Sequence, residues 1–186
     1  MFADLSETCV DNLGKRTAGH KNVHVLQGDA NAPELLDRIA AIVPRNALVI
    51  LYGDPEGLDL ELSTIRFFAD RYKHLDLLLN FPVTGVVRYL RAGGEVKAVP
   101  VLGHPNPAEI LRESRSRRYG TDVRTWYQRQ LRAMGYEHFR VEPVALEEKN
   151  VPIYDVLLAS RHERAADLFD KAVALRPDGQ RSLFSA

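Results

Sequence analysis

The chain has 186 residues, 45% hydrophobic and 27% charged, which excludes a disordered polypeptide and is enough to bury a core. Its 25 basic side chains match its 25 acidic ones, so bulk charge points neither toward nor away from nucleic acid. A lone cysteine, Cys9, excludes an internal disulfide framework and a cysteine-rich metal site, and fits a reducing, cytoplasmic compartment.

The elements read in chain order as alternating strand and helix. "MFAD" is a short apolar run ending at Asp4. "SETCVDNLGKR" is a helix with Ser6 as N-cap, Val10 and Leu13 inward, and Lys15 and Arg16 late. "NVHVLQ" alternates as a strand and runs out into Gly28-Asp29-Ala30-Asn31. "APELLDRIAAIVP" is a helix with Pro33 in its first turn and Leu35, Leu36, Ile39 and Val43 on one face. "NALVILYGD" reads as a strand buried on both faces. "LELSTIRFFADRYK" is a helix, "LDLLLNFP" a second buried strand, and "VTGVVRYLRAGG" a helix stopped at Gly93-Gly94.

From about Val96 to Gly120 the periodicity weakens, with a helix expected in "AEILRESRSRRYG". A clearer helix spans "TDVRTWYQRQLRAMG", stopped at Gly135. "YEHFRVEPVAL" and "VPIYDVLLASRH" predict an antiparallel hairpin turning on "EEKN". "ERAADLFDKAVAL" closes the pattern as a helix. Residues 1–176 read as one domain and 177–186 as a tail. No apolar run nears the ~20 residues of a membrane-spanning helix, and "MFADLSETCV" lacks the regions of a signal peptide.

This order predicts an α/β fold: a doubly wound, mostly parallel sheet with a C-terminal antiparallel hairpin. In such sheets ligands bind beyond the carboxyl ends of the strands. Four predicted strands end at Asp4, Asp29, Asp54 and Asn80. A carboxylate there accepts from ribose hydroxyls or an adenine amino group at modest desolvation cost. Asx residues after strands equally serve as turn formers and helix caps. Asp54-Pro55-Glu56-Gly57 is the sharpest of these ends. Pro55 fixes one torsion, Gly57 admits a left-handed backbone, and Asp54 is held at the tip; an ordinary turn has the same composition.

"GDAN … LYGDPEGLDLELSTIRFFAD … LDLLLNFPVTGVVR … PIYDVLLASRHERAADLFDKA" resembles the three-Cys-motif partner family, whose members look like class I S-adenosylmethionine-dependent methyltransferases. The resemblance implies a Rossmann-like domain lacking its first strand, since no Gly-x-Gly lies upstream of Asp4. It implies S-adenosylmethionine as cofactor, with Asp4 at the ribose and Asp29 and Ala30 near the adenine. Asp54 and Pro55 would then stand where base-modifying methyltransferases keep an acidic or amide residue and a proline, although Glu56 and Gly57 supply no aromatic to stack on a base. It further implies a partner protein carrying a three-cysteine motif, with Asn80 and Arg88 among the partner- or substrate-binding residues.

"LRESRSRRYGTDVRTWYQRQLR" holds seven arginines against Glu113 and Asp122, with Tyr119, Trp126 and Tyr127 interleaved. Arg115 and Arg118 share a helix face and are candidates for nucleic-acid or acidic-protein contact; a solvated face with inward aromatics has the same pattern. The six histidines show no paired ligand spacing. A non-catalytic interaction protein that has lost cofactor binding is the alternative reading.

Overall fold

The computed structural model describes residues 1–112, 120–146 and 151–175. Among them are eight helices and six strands, and the chain is a mixed α/β protein. Strand β1 (Phe2–Asp4) leads through α1 (Glu7–Thr17) to β2 (Val25–Gln27). Helix α2 (Pro33–Ile42) leads to β3 (Leu48–Gly53), and α3 (Leu62–Arg71) to β4 (His74–Phe81). Four helices follow: α4 (Val83–Arg91), α5 (Glu95–Leu102), α6 (Ala108–Arg112) and α7 (Thr121–Arg132). Strands β5 (His138–Leu146) and β6 (Val151–Ser160) and helix α8 (Glu163–Val173) complete the order.

The strands form two sheets rather than the single, mostly parallel one expected. β1 and β2 pair in parallel, and the larger sheet has the order β3-β4-β6-β5. Within it only β3 and β4 are parallel; β4–β6 and β5–β6 are antiparallel. The expected hairpin is present as β5–β6, though its turn lies outside the described residues, as does the tail.

One face of the larger sheet carries the core. Leu75, Leu77 and Leu79 of β4 and Leu157 and Ala159 of β6 pack with Ile65 and Phe68 of α3, Val86 and Val87 of α4, Leu102 of α5, and Val123 and Leu131 of α7. Val49 and Leu51 of β3 turn to the same side. The opposite face is covered only in part. α8 lies over β5 and β6, tied by Arg140 to Asp170 at 2.8 Å.

β3 therefore departs from the expectation of a strand buried on both faces. Leu48, Ile50 and Tyr52 are 87%, 73% and 56% exposed. β4 likewise alternates: its odd-numbered residues are buried and Asp76, Leu78 and Asn80 are only half-buried. A continuous apolar run cannot by itself distinguish a covered face from a bare one, because that depends on which helices the chain brings over it.

Two helix expectations also change. α5 was not evident because Gly93-Gly94 precede it and Pro100 interrupts it, yet Ala98, Val101 and Leu102 are buried. The helix expected from Ala108 to Gly120 is described only as α6, and Arg115 and Arg118 lie outside the described residues. On α1 no residue is fully buried, but Val10, Leu13 and Thr17 form a half-buried stripe, so the expected inward positions are the more covered ones.

Candidate functional site at the strand rim

The ends of β1 and β2 are joined through the backbone: Gly28 N–H donates to the Asp4 carbonyl at 3.0 Å. Asp4 and Asp29 thus stand at one rim, both exposed. Asp4 Oδ1 accepts from Ser6 N–H at 2.7 Å, fixing the entry to α1, whose N-cap Ser6 in turn accepts from Cys9 N–H at 3.3 Å. Ala30 is exposed beside Asp29.

Asn31 carries this rim across to the other sheet. Its Nδ2 donates to the Asp59 carbonyl at 2.7 Å, and its Oδ1 accepts from Glu61 N–H at 3.0 Å and from the buried Thr64 hydroxyl at 2.8 Å. Asp29 Oδ1 accepts from Asn31 N–H at 2.9 Å and holds that side chain in place. The loop leaving β2 is thereby bonded to the loop leaving β3, so the carboxyl ends of both strands open to the same side. α2 and α3, which lead away from these strands, are also tied: Arg71 donates to the Ala40 carbonyl at 2.6 Å and Tyr72 to the Val43 carbonyl at 3.3 Å.

At the tip of β3, Asn80 Nδ2 donates to Asp54 Oδ1 at 2.6 Å and to the Tyr52 hydroxyl at 2.9 Å. The register explains the cluster. Tyr52 is paired with Leu78 across the parallel ladder, two residues from Asn80 on the same face of β4. Gly53 lies on the opposite, core-facing side of the strand, where a Cβ would meet Leu60 Cδ2 at 2.8 Å and Leu79 Cδ2 at 2.9 Å. Asp54 is exposed, Pro55 half-buried, and Gly57 has a positive φ of 126° that only glycine adopts readily.

The rim thus gathers Asp4, Asp29, Asp54 and Asn80 at one end of the strands, in two groups: Asp4–Asp29 beyond β1–β2, and Tyr52–Asp54–Asn80 beyond β3–β4. Tyr52 and Asn31 were not anticipated. The alternation of the β3 run puts Tyr52 on one face with Ile50, and Asn31 closes the quoted "GDAN", but neither signal says which partner each finds. Arg88 is exposed on α4, away from these bonds.

The described half of the arginine-rich strip is largely structural. Arg124 forms a bidentate pair with Asp155 at 2.7 and 2.9 Å, and that carboxylate is 1% exposed. Tyr127 is buried and stacks on Phe81 with centroids 4.3 Å apart. Trp126 donates to the Leu102 carbonyl at 2.9 Å. Arg132 lies over the Phe139 ring at 4.6 Å. Trp126 and Tyr127 therefore turn inward, Tyr119 lies outside the described residues, and Arg124 is held by a buried carboxylate rather than standing on a solvated face.

A shallow depression of about 530 Å³ lies between α3, α5 and α7, lined by Glu61, Arg66, Phe67, Asp70, Pro100 and Gln130 among others. It contains none of the four rim residues. Comparison with family models, with characterised proteins and with solved structures finds no match for this chain.

Proposed function

We propose that this chain is a methyltransferase-type domain of the three-Cys-motif partner kind, taking a nucleoside-bearing cofactor of the S-adenosylmethionine class at the strand rim. One observation carries the reading. Asn31 bonds the loop leaving β2 to the loop leaving β3, so the carboxyl ends of both strands open to one side. In a doubly wound, Rossmann-like fold ligands sit beyond the carboxyl ends of the strands. Here that rim carries Asp4 and Asp29 beyond β1–β2 and Asp54 and Asn80 beyond β3–β4.

The donor set suits such a ligand. Asp4 and Asp29 each commit Oδ1 to a neighbouring amide, which orients Oδ2 toward solvent as an acceptor for ribose hydroxyls or the adenine amino group. When bound, the cofactor supplies an electrophilic methyl group on sulfonium. Asp54, held by Asn80, would accept a hydrogen bond from the attacking amino nitrogen, aim its lone pair and take up the proton it releases. Tyr52 and Pro55 would border that position. Nucleic acid is the proposed substrate class, and a three-cysteine-motif protein the proposed partner.

The bare apolar face of β3 favours a second reading: an interaction protein of the same architecture without methyl transfer. Calorimetric titration with S-adenosylmethionine separates the two. The first reading expects saturable heat that falls at least ~10-fold in affinity in Asp4→Ala, a change of about 1.4 kcal/mol, while the melting temperature holds. Absence of heat at millimolar ligand rejects the first and leaves the second.

A further inference from the structure

Charge is unevenly spread between the two ends of the strands. The stretch that carries β3 to the rim is purely acidic: from Asn46 to Ile65 the chain has Asp54, Glu56, Asp59 and Glu61 and no Lys, Arg or His. The end of α1 and its return to β2 are the reverse. From Asn12 to Gly28 no acidic residue occurs, while Lys15, Arg16, His20, Lys21 and His24 fall within ten positions and all are exposed. Two tight turns gather them. His20 N–H donates to the Thr17 carbonyl at 2.8 Å, and Val23 N–H to the His20 carbonyl at 3.1 Å. Phe2 N–H donates to the His24 carbonyl at 2.8 Å and fixes the loop against the start of β1. Among the described residues none of the five side chains has a hydrogen-bond or ion-pair partner. Asp11, one turn before Lys15 on α1, forms no ion pair with it. Lys15 and Arg16 suit the dipole at the end of α1, but that role accounts neither for Lys21, His20 and His24 nor for the missing acids.

We propose that the last turn of α1 and the loop into β2 form a contact surface for the phosphate backbone of duplex nucleic acid. Cations without partners displace the counterions condensed on phosphates, which suffices for backbone contact without reading bases. Composition chooses among anionic partners. No large apolar side chain is exposed between Ser6 and Ala41, whereas a protein interface is anchored by apolar and aromatic groups and makes little use of lysine. From Glu7 to Gln27 there is no Phe, Tyr or Trp on which unpaired bases could stack. A duplex, with its denser phosphates, therefore fits better than a single strand. The acids at the rim steer a polyanion toward this end. α1 begins at the rim and has 11 residues, which sets the patch about 16 Å away from it. The surface goes beyond the rim chemistry and needs neither cofactor nor methyl transfer.

The test is fluorescence anisotropy of a labelled DNA duplex of about 20 base pairs and mixed sequence, titrated with the full chain in the absence of S-adenosylmethionine at several salt concentrations. The expected Kd is ~100 μM or tighter at ~50 mM salt. Lys15→Gln with Lys21→Gln should weaken binding at least ~10-fold at that salt, and should flatten the slope of log affinity against log salt by about 1.8, two phosphates at about 0.9 each. Lys21→Gln alone, which lies outside α1, should flatten it by about 0.9 and keeps helix stability out of the reading. Lys97→Gln with Lys171→Gln removes the same charge from exposed positions on α5 and α8 and should stay within ~3-fold of the native chain. Three results would overturn the proposal. One is no binding at ~50 mM salt. Another is equal loss in the two double variants, which would make net charge the cause. The last is competition by poly-glutamate as effective, charge for charge, as that by unlabelled duplex, which would give the surface to an acidic polypeptide.

Discussion

Asn80 and Asp54, 26 residues apart in sequence, are joined by an amide-to-carboxylate hydrogen bond of 2.6 Å that clamps the tip of β3 to the end of β4. Because Asp54 is exposed, water can replace the donor if it is lost. Asn80→Ala should cost only about 1 kcal/mol in urea denaturation. Asn80→Asp removes the donor and sets two carboxylates together. Its deficit at pH 7 should exceed that of Asn80→Ala and shrink near pH ~4, where carboxylates protonate. A deficit independent of pH would mean the two side chains do not meet.

Asn31 holds more than the neighbouring Asp29 does. Asn31→Ala strips one carbonyl of a donor and leaves Glu61 N–H and the buried Thr64 hydroxyl without their acceptor. The expected loss is about 2–3 kcal/mol, against less than about 1 kcal/mol for Asp29→Ala. Thr64→Val in the Asn31→Ala background should recover part of it, since one unsatisfied hydroxyl disappears. Denaturant midpoints of the native chain, Asn31→Ala, Thr64→Val and the double variant check the cycle.

The contrast between these residues marks what was legible beforehand. Apart from α5, strand and helix order followed from apolar periodicity and from punctuation at Pro33, Gly93 and Gly135, and the strand ends at Asp4, Asp29, Asp54 and Asn80 followed with it. Which strands pair did not. "LVILYG" is equally apolar whether its neighbours are one strand or two, so the open edge of β3 left no trace in composition. The Tyr52–Asn80 contact depends on a register that only the folded ladder sets. Arg124 illustrates the opposite error, since a cation in an arginine-rich strip reads as solvent-facing until its partner Asp155, 31 residues away, is located.

That pair gives a third prediction. Arg124→Ala leaves the Asp155 carboxylate buried without its cation and should cost about 3–5 kcal/mol. Arg124→Met with Asp155→Leu removes both charges and should recover most of the loss. Arg124→Lys should rescue poorly, because one ammonium cannot reproduce the two parallel bonds. Thermal denaturation of the three variants decides. Equal stability of Arg124→Ala and the native chain would show that the ion pair is not formed.

Gly53→Ala brings a Cβ against Leu60 Cδ2 and Leu79 Cδ2, the far ends of two leucine side chains that can turn aside, and the expected cost is about 1 kcal/mol. Leu60→Ala in the same protein opens one of the two contacts and should lessen the added penalty. A loss above about 3 kcal/mol in urea denaturation would mean that neither leucine can turn aside.

Tyr136 gives the chain an alkaline limit. Its side chain is fully buried, and its hydroxyl has no hydrogen-bond partner among the described residues. Burial pushes its pKa up to about 12, with Arg161, whose guanidinium lies 4.8 Å from the ring, opposing and Asp76 adding to the rise. The folded state therefore holds this proton more tightly than the unfolded chain, where tyrosine titrates near pH ~10. The stabilisation is complete below pH ~10 and is lost as pH rises through about 12. Tyr136→Phe should leave stability at pH 7 unchanged or raise it by up to about 1 kcal/mol, because an unsatisfied hydroxyl is removed. It should also flatten the decline above pH ~10. It will not abolish that decline, since burial raises the pKa of Tyr127 as well. Denaturation midpoints at pH ~9, ~10 and ~11 test the slope, and an unaltered slope in Tyr136→Phe would mean that this hydroxyl already meets water in the folded state.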